Sequence, residues 1–368
     1  MTVSDVETIM EQWAPRWIAW DRDNVGLQVG DRNASVRRIL LCLDVTRDIV
    51  DEAIRKKADM LISHHPLLFH PPTSITKSDL QGELILRLAE NRIALYSSHT
   101  NLDFTRDGVS FALAHALGLR NIRFLSSLKG LMSKLAVFVP QGSVGKVLEA
   151  MADAGAGTIG NYSHCSFQVD GRGTFLGSAE SNPAVGKRGV LETTAEVRLE
   201  MILPRSAVGR VATAMKSVHP YEEVAYDVYP LDNESTDFGM GAIGELESSV
   251  SLKDFLKRVR KALDAEAVKA AGNAKGRIQR VAVCGGSGSD LLPAAIQSGA
   301  EAFVTADVRY HTFLDADGRL ALVDAGHWET EHPVLPVIES RLQQACDERK
   351  ERVSITVTRQ RTSPIYFY

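Results

Sequence analysis

The stretch RILLCLDVTRDIVDEAIRKKADMLIS, residues 38–63, aligns without a gap on RVAVCGGSGSDLLPAAIQSGAEAFVT, residues 280–305. Each copy begins with a short apolar run, continues through a loop into an amphipathic helical pattern, and ends in a second apolar run. The identical columns are Arg38/Arg280, Cys42/Cys284, Asp48/Asp290, Ala53/Ala295, Ile54/Ile296 and Ala58/Ala300. Any two βαβ units share some of this pattern, so the alignment alone does not establish a repeat. It predicts two βαβ units and parallel sheets with a site beyond the carboxyl ends of their strands.

The next strand of each copy strengthens the case for a repeat. RIALYSSHTNLD, residues 92–103, matches RLALVDAGHWETE, residues 319–331, when one residue is inserted in the second. Both strands lead to a histidine followed four residues later by a carboxylate, and such a pair converges when the segment turns helically. We therefore predict two half-cores related by a pseudo-twofold axis, each with a histidine/carboxylate pair.

Between the two copies lies material of a different pattern. Residues 133–157 read as a strand and a helix, and residues 195–231 read as strand, helix and strand. The pattern predicts an α+β domain inserted into the core, of a size usual for a domain. The predicted boundaries are 1–130 for the first half of the core, 131–231 for the insert and 232–368 for the second half.

The candidate ligands all follow apolar, strand-like runs, where α/β proteins place their sites. They are His64, His65, His99, Asp103, His327 and Glu331. Imidazole with carboxylate favours Zn, Fe, Mn or Co over Ca and Mg. A catalytic zinc normally takes three protein ligands, so this set suits two divalent ions with a bridging carboxylate.

The stretch SHHPLLFH, residues 63–70, places two histidines side by side. Neighbouring side chains at the end of a strand diverge, and two ions allow each histidine to bind its own. Pro66 favours extended backbone at His65 and ends the strand. We expect Asp103 to bridge the ions, since it follows a short polar turn, and Glu331 to bind one of them terminally.

Other residues near these motifs have weaker predicted roles. Asp44 and Asp324 are candidates to orient ligands through hydrogen bonds. His311 is a candidate lining residue, although a structural role is an equal alternative. The stretch GGSGSD, residues 285–290, is neither a Walker A nor a GxGxxG motif, so we interpret it as a tight turn.

Composition and the pattern at the start of the chain disfavour several classes of protein. The chain has 368 residues, a net charge of −4 and four cysteines that form no CxxC pair. Its length predicts two or three domains, and its charge does not favour nucleic acid or anionic membranes. The start of the chain lacks the pattern of a signal peptide, and Ser4 with Glu7 instead predicts a capping box that opens a helix. We expect a cytoplasmic protein without a membrane span.

Several motifs taken together resemble the NGG-one-interacting-factor-three-like family, whose members are often labelled GTP cyclohydrolase type 2 homologues. They are DNVGLQVG (23–30), SHHPLLF (63–69), SSHTNLD (97–103), GMGAIGEL (239–246), VTADVRYHTFLDA (304–316) and DAGHWETE (324–331). The middle segment contains GRGTFLG (171–177), NPAVG (182–186) and HPYEE (219–223), and it resembles the PII/CutA-like insert of the longer members.

The resemblance implies specific expectations for site and assembly. It implies a di-metal centre of His64, His65, Asp103, His327 and Glu331, with His99 in or near the ligand set. It also implies a homohexamer built as a trimer of dimers, with the insert capping a central cavity.

The activity has competing interpretations. The first is a metal-dependent hydrolase, GTP cyclohydrolase-like, acting on a nucleotide-like or heterocyclic small molecule, with His99, His311 or Glu329 as candidates for proton transfer. The second is a non-catalytic metal-binding, metal-delivery or regulatory protein. A third, an adaptor in transcription or cofactor assembly, has no support in these residues.

Overall fold

A computed structural model describes residues 1–272 and 276–367 of the chain. It contains two compact units, one made of Met1–Ser127 with Thr236–Tyr368 and the other of Leu128–Ser235. Across the described ranges, no helix is both long enough and apolar enough to cross a bilayer.

The first part of the larger unit carries one copy of the predicted repeat. Its elements are α1 (Val3–Trp13), β1 (Gly26–Val29), β2 (Arg38–Cys42), α2 (Arg47–Arg55), β3 (Met60–Ser63), α3 (Leu80–Glu90), β4 (Ala94–Ser97), α4 (Thr100–Asp103), α5 (Val109–Ala116) and β5 (Arg120–Ser127), with a 3-10 turn at Arg16–Ile18. Helix α1 is opened by a capping box of Thr2 and Asp5, so the prediction of Ser4 with Glu7 was wrong by two residues. Thr2 accepts from the backbone N–H of Asp5, and Asp5 accepts from that of Thr2.

The smaller unit consists of β6 (Met132–Pro140), α6 (Val144–Asp153), β7 (Ser166–Leu176), β8 (Leu191–Pro204), α7 (Val208–Val218) and β9 (Tyr226–Leu231), with 3-10 turns at Gln141–Ser143 and Arg205–Ala207. Its sheet is antiparallel in the order β7-β8-β6-β9. One apolar face of the sheet packs on the two helices through residues such as Leu135, Leu199 and Met215. The backbone N–H of Ser235 donates to Leu128 O at 2.9 Å, so the chain enters and leaves this α+β unit at one place.

The second part of the larger unit carries the other copy. Its elements are β10 (Gly239–Ser251), α8 (Leu252–Ala262), β11 (Lys269–Ala271), β12 (Arg277–Val283), α9 (Leu292–Gln297), β13 (Ala302–Thr305), α10 (Tyr310–Ala316), β14 (Ala321–Asp324), α11 (His327–Glu331), α12 (Val334–Glu348) and β15 (Ser354–Val357), with a 3-10 turn at Ser289–Leu291. Helix α9 is six residues long and directly follows the 3-10 turn at Ser289–Leu291.

The described residues of the larger unit form two sheets, each with a parallel core. The first has the order β1-β4-β3-β2-β15, in which only β1 is antiparallel to its neighbour. The second has the order β11-β14-β13-β12-β10-β5, in which β12, β13 and β14 are parallel. The chain is thus a mixed α/β protein built on two parallel-sheet half-units with an inserted α+β unit, as the sequence predicts.

Helices cover both faces of each parallel core, which explains why its strands are apolar without a break. In the first sheet, Ile39 and Leu41 face one cluster with residues of α1 and α12, while Leu40 and Cys42 face another with residues of α2 and α3. In the second sheet, Phe303 packs in one cluster with residues of α9, while Ala302 and Val304 pack in another with residues of α5 and α8. Polar side chains therefore gather beyond the carboxyl ends of the strands, where helices do not cover the sheet.

Candidate metal centre

Three strand ends deliver the candidate ligands. Strand β3 ends directly before His64 and His65, and β4 ends two residues before His99, which caps the short helix α4. In the other sheet, β14 leads through Gly326 into α11, whose first and last residues are His327 and Glu331. The four-residue spacing thus becomes one helical turn in both halves, so each pair begins and ends a turn.

The carboxylate of Glu331 lies among three imidazoles. Its Oε1 is 3.1 Å from His327 Nε2 and 3.7 Å from His64 Nε2, and its Oε2 is 3.1 Å from His65 Nε2. Asp103 approaches one histidine of this set, with its Oδ1 3.6 Å from His64 Nε2. Glu331 therefore approaches three of these histidines, whereas Asp103 approaches one, and the predicted bridging role of Asp103 stays a prediction.

Two groups of ligand atoms are compact enough to surround a cation. One comes from His64, His65 and His99, the other from His65, His327 and Glu331, and within each group the atoms lie within 4.8 Å of one another. The Nε2 atoms of His65 and His327 face each other at 3.4 Å. A tetrahedral ion with bonds of about 2.0–2.1 Å separates its ligand nitrogens by about 3.3 Å, which matches this distance.

Each of the four candidate histidine ligands is held in its orientation by a hydrogen bond at Nδ1, on the side of the ring opposite Nε2. The acceptors are Ser98 O for His64 at 2.9 Å, Asp44 Oδ1 for His65 at 2.8 Å, Asp23 Oδ1 for His99 at 2.9 Å and Asp307 Oδ2 for His327 at 2.6 Å. Because carbonyl and carboxylate oxygens only accept, each Nδ1 carries the hydrogen, and Nε2 of the neutral ring offers its lone pair. Carboxylate or carbonyl partners of this kind are the usual supports of metal-binding histidines.

Two buried polar atoms of this cluster have no hydrogen-bond partner among the described residues: His64 Nε2 and Asp103 Oδ1. Leaving such atoms without a partner costs free energy, and carboxylate and imidazole atoms that converge are the ligands that divalent transition metals prefer. The residues present therefore fit a metal centre.

Opposing charges in this buried cluster shift its pKa values. Burial disfavours the imidazolium of His65, but Asp44 and Glu331 outweigh it and raise the pKa of His65 to about 10. Burial likewise disfavours the imidazolium of His327, but Glu331 and Asp307 outweigh it and raise the pKa of His327 to about 9. Burial works against the ionised form of Glu331, yet His64 and the other histidines hold its pKa well below its usual range. Burial raises the pKa of Asp103. Without an ion, these histidines hold protons that a cation must displace.

A glycine turn makes room for Glu331. Gly286 has φ +61°, and a Cβ on it would lie 2.3 Å from Glu331 Oε1. Its N–H donates to Thr330 Oγ1, and Thr305 Oγ1 donates to its carbonyl oxygen. The stretch GGSGSD therefore forms a tight turn that packs directly against the central carboxylate.

The weaker candidates have different environments. His311 is exposed on α10, with its ring against Tyr310. Glu329 is buried and its carboxylate is paired with Arg361. Asp324 accepts from the N–H groups of Val308 and Gly326, so it shapes the turn before His327 and does not contact a ligand side chain in the described hydrogen bonds. Asp44 contacts His65 as expected.

Sequence reasoning missed two of the supporting carboxylates, Asp23 and Asp307. Asp307 follows the carboxyl end of β13, and this position relative to a parallel strand could have identified it. Asp23 precedes β1 in a loop and reaches His99 across 76 residues of sequence. Its contact depends on tertiary structure and leaves no local signal.

Fold and site together define the class of this protein: a mixed α/β protein with a buried histidine–carboxylate cluster suited to metal. The family model Duf34/NIF3 (NGG1p interacting factor 3) matches residues 1–364, and the chain belongs to this family. A relative from Halalkalibacterium halodurans, named GTP cyclohydrolase 1 type 2 homolog, is 38% identical over 373 residues, with 100% of both chains covered.

Solved structures agree with this membership. A Bacillus cereus protein related to NIF3 is 39% identical, with a TM-score of 0.81 over 100% of this chain and 99% of the other. A Staphylococcus aureus protein is 28% identical, with a TM-score of 0.83 over the same shares. The likeness of the insert to PII/CutA-type domains stays a prediction.

Proposed function

We propose that this protein is a di-metal-dependent hydrolase acting on a nucleotide-like or heterocyclic small molecule. The observation that carries the proposal is the carboxylate of Glu331, which lies within 3.7 Å of three imidazole nitrogens. The name GTP cyclohydrolase 1 type 2 homolog, carried by the relatives, supports the substrate class.

The donors divide naturally between two ions. His65, His327 and Glu331 form one compact group, and we assign one ion to it. Nε2 of His64 lies near both Asp103 and Glu331, and we assign the second ion to these three residues, so that Glu331 serves both. Two divalent ions, of Zn, Fe, Mn or Co, supply Lewis acidity that lowers the pKa of water and polarises an electrophilic substrate group.

His99 is the residue of this chain best placed to move a proton. Its ring is 5.3 Å from that of His64 and 5.5 Å from that of His65, between centroids. Nδ1 is fixed on Asp23, so Nε2 is the atom that accepts or returns a proton. Asp23 holds the ring in this orientation through its contacts with His99 and Thr100.

A reconstituted hydrolase assay tests this proposal. Metal-free protein is loaded with each candidate ion and offered a panel of heterocyclic and nucleotide substrates that includes GTP. We expect turnover that requires metal, is lost in Glu331→Gln and falls in His99→Gln at unchanged metal content. Turnover that persists without metal, or in Glu331→Gln, would contradict the proposal.

The large number of possible metal ligands favours a second candidate function, in which the protein binds metal in order to deliver or sense it. Six side chains approach one another, enough to satisfy two ions from protein alone. In that case the assay shows no turnover on any substrate, while bound ions pass readily to an acceptor chelator.

We also propose that the chain assembles into a homohexamer, a trimer of dimers, in the cytoplasm. The insert supports self-association because large apolar side chains of β7 and β8 are exposed, among them Phe167 at 65% and Leu191 at 70%. Free cysteines at positions 42, 165, 284 and 346 are typical of a reducing compartment. Light scattering on the full chain measures the assembly, and a monomer at micromolar concentration would contradict it.

A further inference from the structure

The segment Thr358–Thr362 follows β15 and binds the first half-core beside the metal centre. The N–H of Thr358 donates to Leu41 O at 2.9 Å, and its hydroxyl donates to Glu52 Oε2 at 2.6 Å. Gln360 Nε2 donates to Asp48 O and to Glu52 Oε2, each at 3.1 Å. These contacts hold the segment along β2 and α2.

The same segment then reaches the second half-core through Arg361. Its guanidinium pairs with the buried carboxylate of Glu329, lies over the ring of Trp328 at 5.1 Å and contacts Asp264 O at 3.4 Å. Glu329 and Trp328 belong to α11, the helical turn that carries His327 and Glu331. Arg361 therefore ties this turn to a segment anchored on the other half-core.

The last residue of the segment connects directly to a ligand. The hydroxyl of Thr362 donates to Asp44 Oδ2, and Asp44 Oδ1 accepts from His65 Nδ1 at 2.8 Å. Both carboxylate oxygens of Asp44 are thereby engaged, which fixes the plane of the carboxylate and with it the direction in which His65 Nε2 points. That nitrogen faces Glu331 Oε2 and His327 Nε2.

We infer that Thr362 is a positioning residue of the metal centre, acting through Asp44 on His65, and that Thr358–Thr362 holds the ligands of the two half-cores in register. The inference rests on the proposed metal centre. A hydrogen-bond partner behind a metal-binding histidine typically changes metal affinity by about 10–100-fold when it is lost. Thr362 contacts Asp44 and not His65 itself, so we expect its loss to change metal affinity by an amount in the lower part of this range.

Thr362→Val tests the inference because it keeps the shape of the side chain and removes the hydroxyl. Thr362→Ser restores the donor. Thr356→Val is the matched control because it makes the same substitution in β15, where the hydroxyl of Thr356 donates to Ile39 O of the neighbouring strand β2 at 3.4 Å. Zinc affinity is measured by competition with a chromophoric chelator. We expect about tenfold weaker binding of one ion in Thr362→Val, with Thr362→Ser and Thr356→Val near wild type. Wild-type affinity in Thr362→Val, or equal loss in Thr362→Ser, would overturn the inference.

A readout on metal-free protein separates this inference from the proposed function. The orientation of the His65 ring in crystals of the metal-free protein reports how firmly the ring is held. We expect the ring to keep its contact with Asp44 in wild type and Thr356→Val and to be displaced or disordered in Thr362→Val, at equal thermal stability. The same ordered ring in Thr362→Val would overturn the positioning role. Failure of wild-type protein to bind two ions would instead count against the proposed function, while the ring orientation still decides the role of Thr362.

Discussion

The two half-cores share one scaffold and use it differently. When the alignment of residues 38–63 with 280–305 is extended, Asp44 corresponds to Gly286 and His65 to Asp307. In the first half, the end of β2 supplies the carboxylate Asp44 and the end of β3 supplies the candidate ligand His65. In the second half, the end of β13 supplies the carboxylate Asp307, and its histidine, His327, comes from beyond β14. The parallel-sheet frame fixes where side chains gather, and the residue types at each strand end decide which become ligands.

The helical turns of the two halves also differ. Gly326 is the residue inserted in the second copy, and its φ of +92° is a conformation that glycine adopts without strain. It precedes α11, in which Glu331 meets both His327 and the histidines of the first half. In the first half, Asp103 lies against His64, while His99 is bonded to Asp23. The cluster is therefore asymmetric, with its central carboxylate from the second half.

The largest expected effect follows from this asymmetry. Glu331→Gln should abolish retention of both ions, because both assigned groups include this carboxylate. Asp103→Asn should weaken one ion, since Asp103 contacts His64 alone among the four histidines in the described ion pairs. Metal counts on folded, desalted variants measure both. Two ions in Glu331→Gln together with none in Asp103→Asn would reverse the roles of the two carboxylates.

A smaller but still shared effect is expected at Gly286. Gly286→Ala forces a side chain onto a φ of +61° and into the space of Glu331 Oε1, so it should weaken both ions. The matched control is Gly318→Ala, where φ is +69° and nothing lies within 4 Å of the added Cβ. Both variants should lose about 1 kcal/mol in free energy of unfolding from the backbone conformation. Equal metal affinity in the two variants would show that the glycine turn is unrelated to the centre.

Asp44 and Asp307 support one histidine each, His65 in the first half-core and His327 in the second, so substituting them tests whether both histidines bind the same ion. Asp44→Asn and Asp307→Asn should each weaken the same ion, by about 10–100-fold, because His65 and His327 face each other across it. The ion assigned to His64 and Asp103 should keep its affinity in both variants. Titration with cobalt, whose absorption bands report each site, measures the two affinities. Loss of different ions in the two variants would contradict the shared site.

Metal binding should depend on pH with a defined sign. The pKa of His65 is raised to about 10 and that of His327 to about 9, so both rings are protonated at neutral pH without an ion. A cation must displace these protons, so apparent affinity should rise by up to about tenfold per displaced proton for each pH unit, from pH 6 to 8. Calorimetry in buffers of different ionisation enthalpy counts the released protons. A pH-independent affinity would show that the histidines are neutral before binding.

The smallest effect is expected from the insert. Its ends meet through the bond between Ser235 N–H and Leu128 O, and the residues of both ligand groups belong to the other unit. Replacing residues 131–231 by a short linker should leave metal content unchanged while altering assembly. Metal loss from a folded deletion variant would show that the insert helps to build the centre.

Sequence reasoning found the scaffold and the cluster because both have local signals. Apolar runs and the repeated histidine–carboxylate spacing predict parallel strands and the residues that follow them, and His64, His65, His327 and Glu331 do come together. Local turn chemistry favours Asp103 as the bridge, but it does not show how far the side chain of Glu331 reaches. Glu331 is central because Gly286 leaves room for it, and that contact joins residues 45 positions apart. Thr362 and Asp23 reach the cluster from loops without any periodic pattern.

Anomalous diffraction from crystals of metal-loaded protein tests most directly whether two ions share the carboxylate of Glu331. Data collected at the absorption edge of the bound metal should show two peaks per chain, about 3.5–4 Å apart, with Glu331 between them. His65 and His327 should flank one peak, and His64 and Asp103 the other. A single peak, or two peaks with Asp103 between them and Glu331 on one side, would contradict this account.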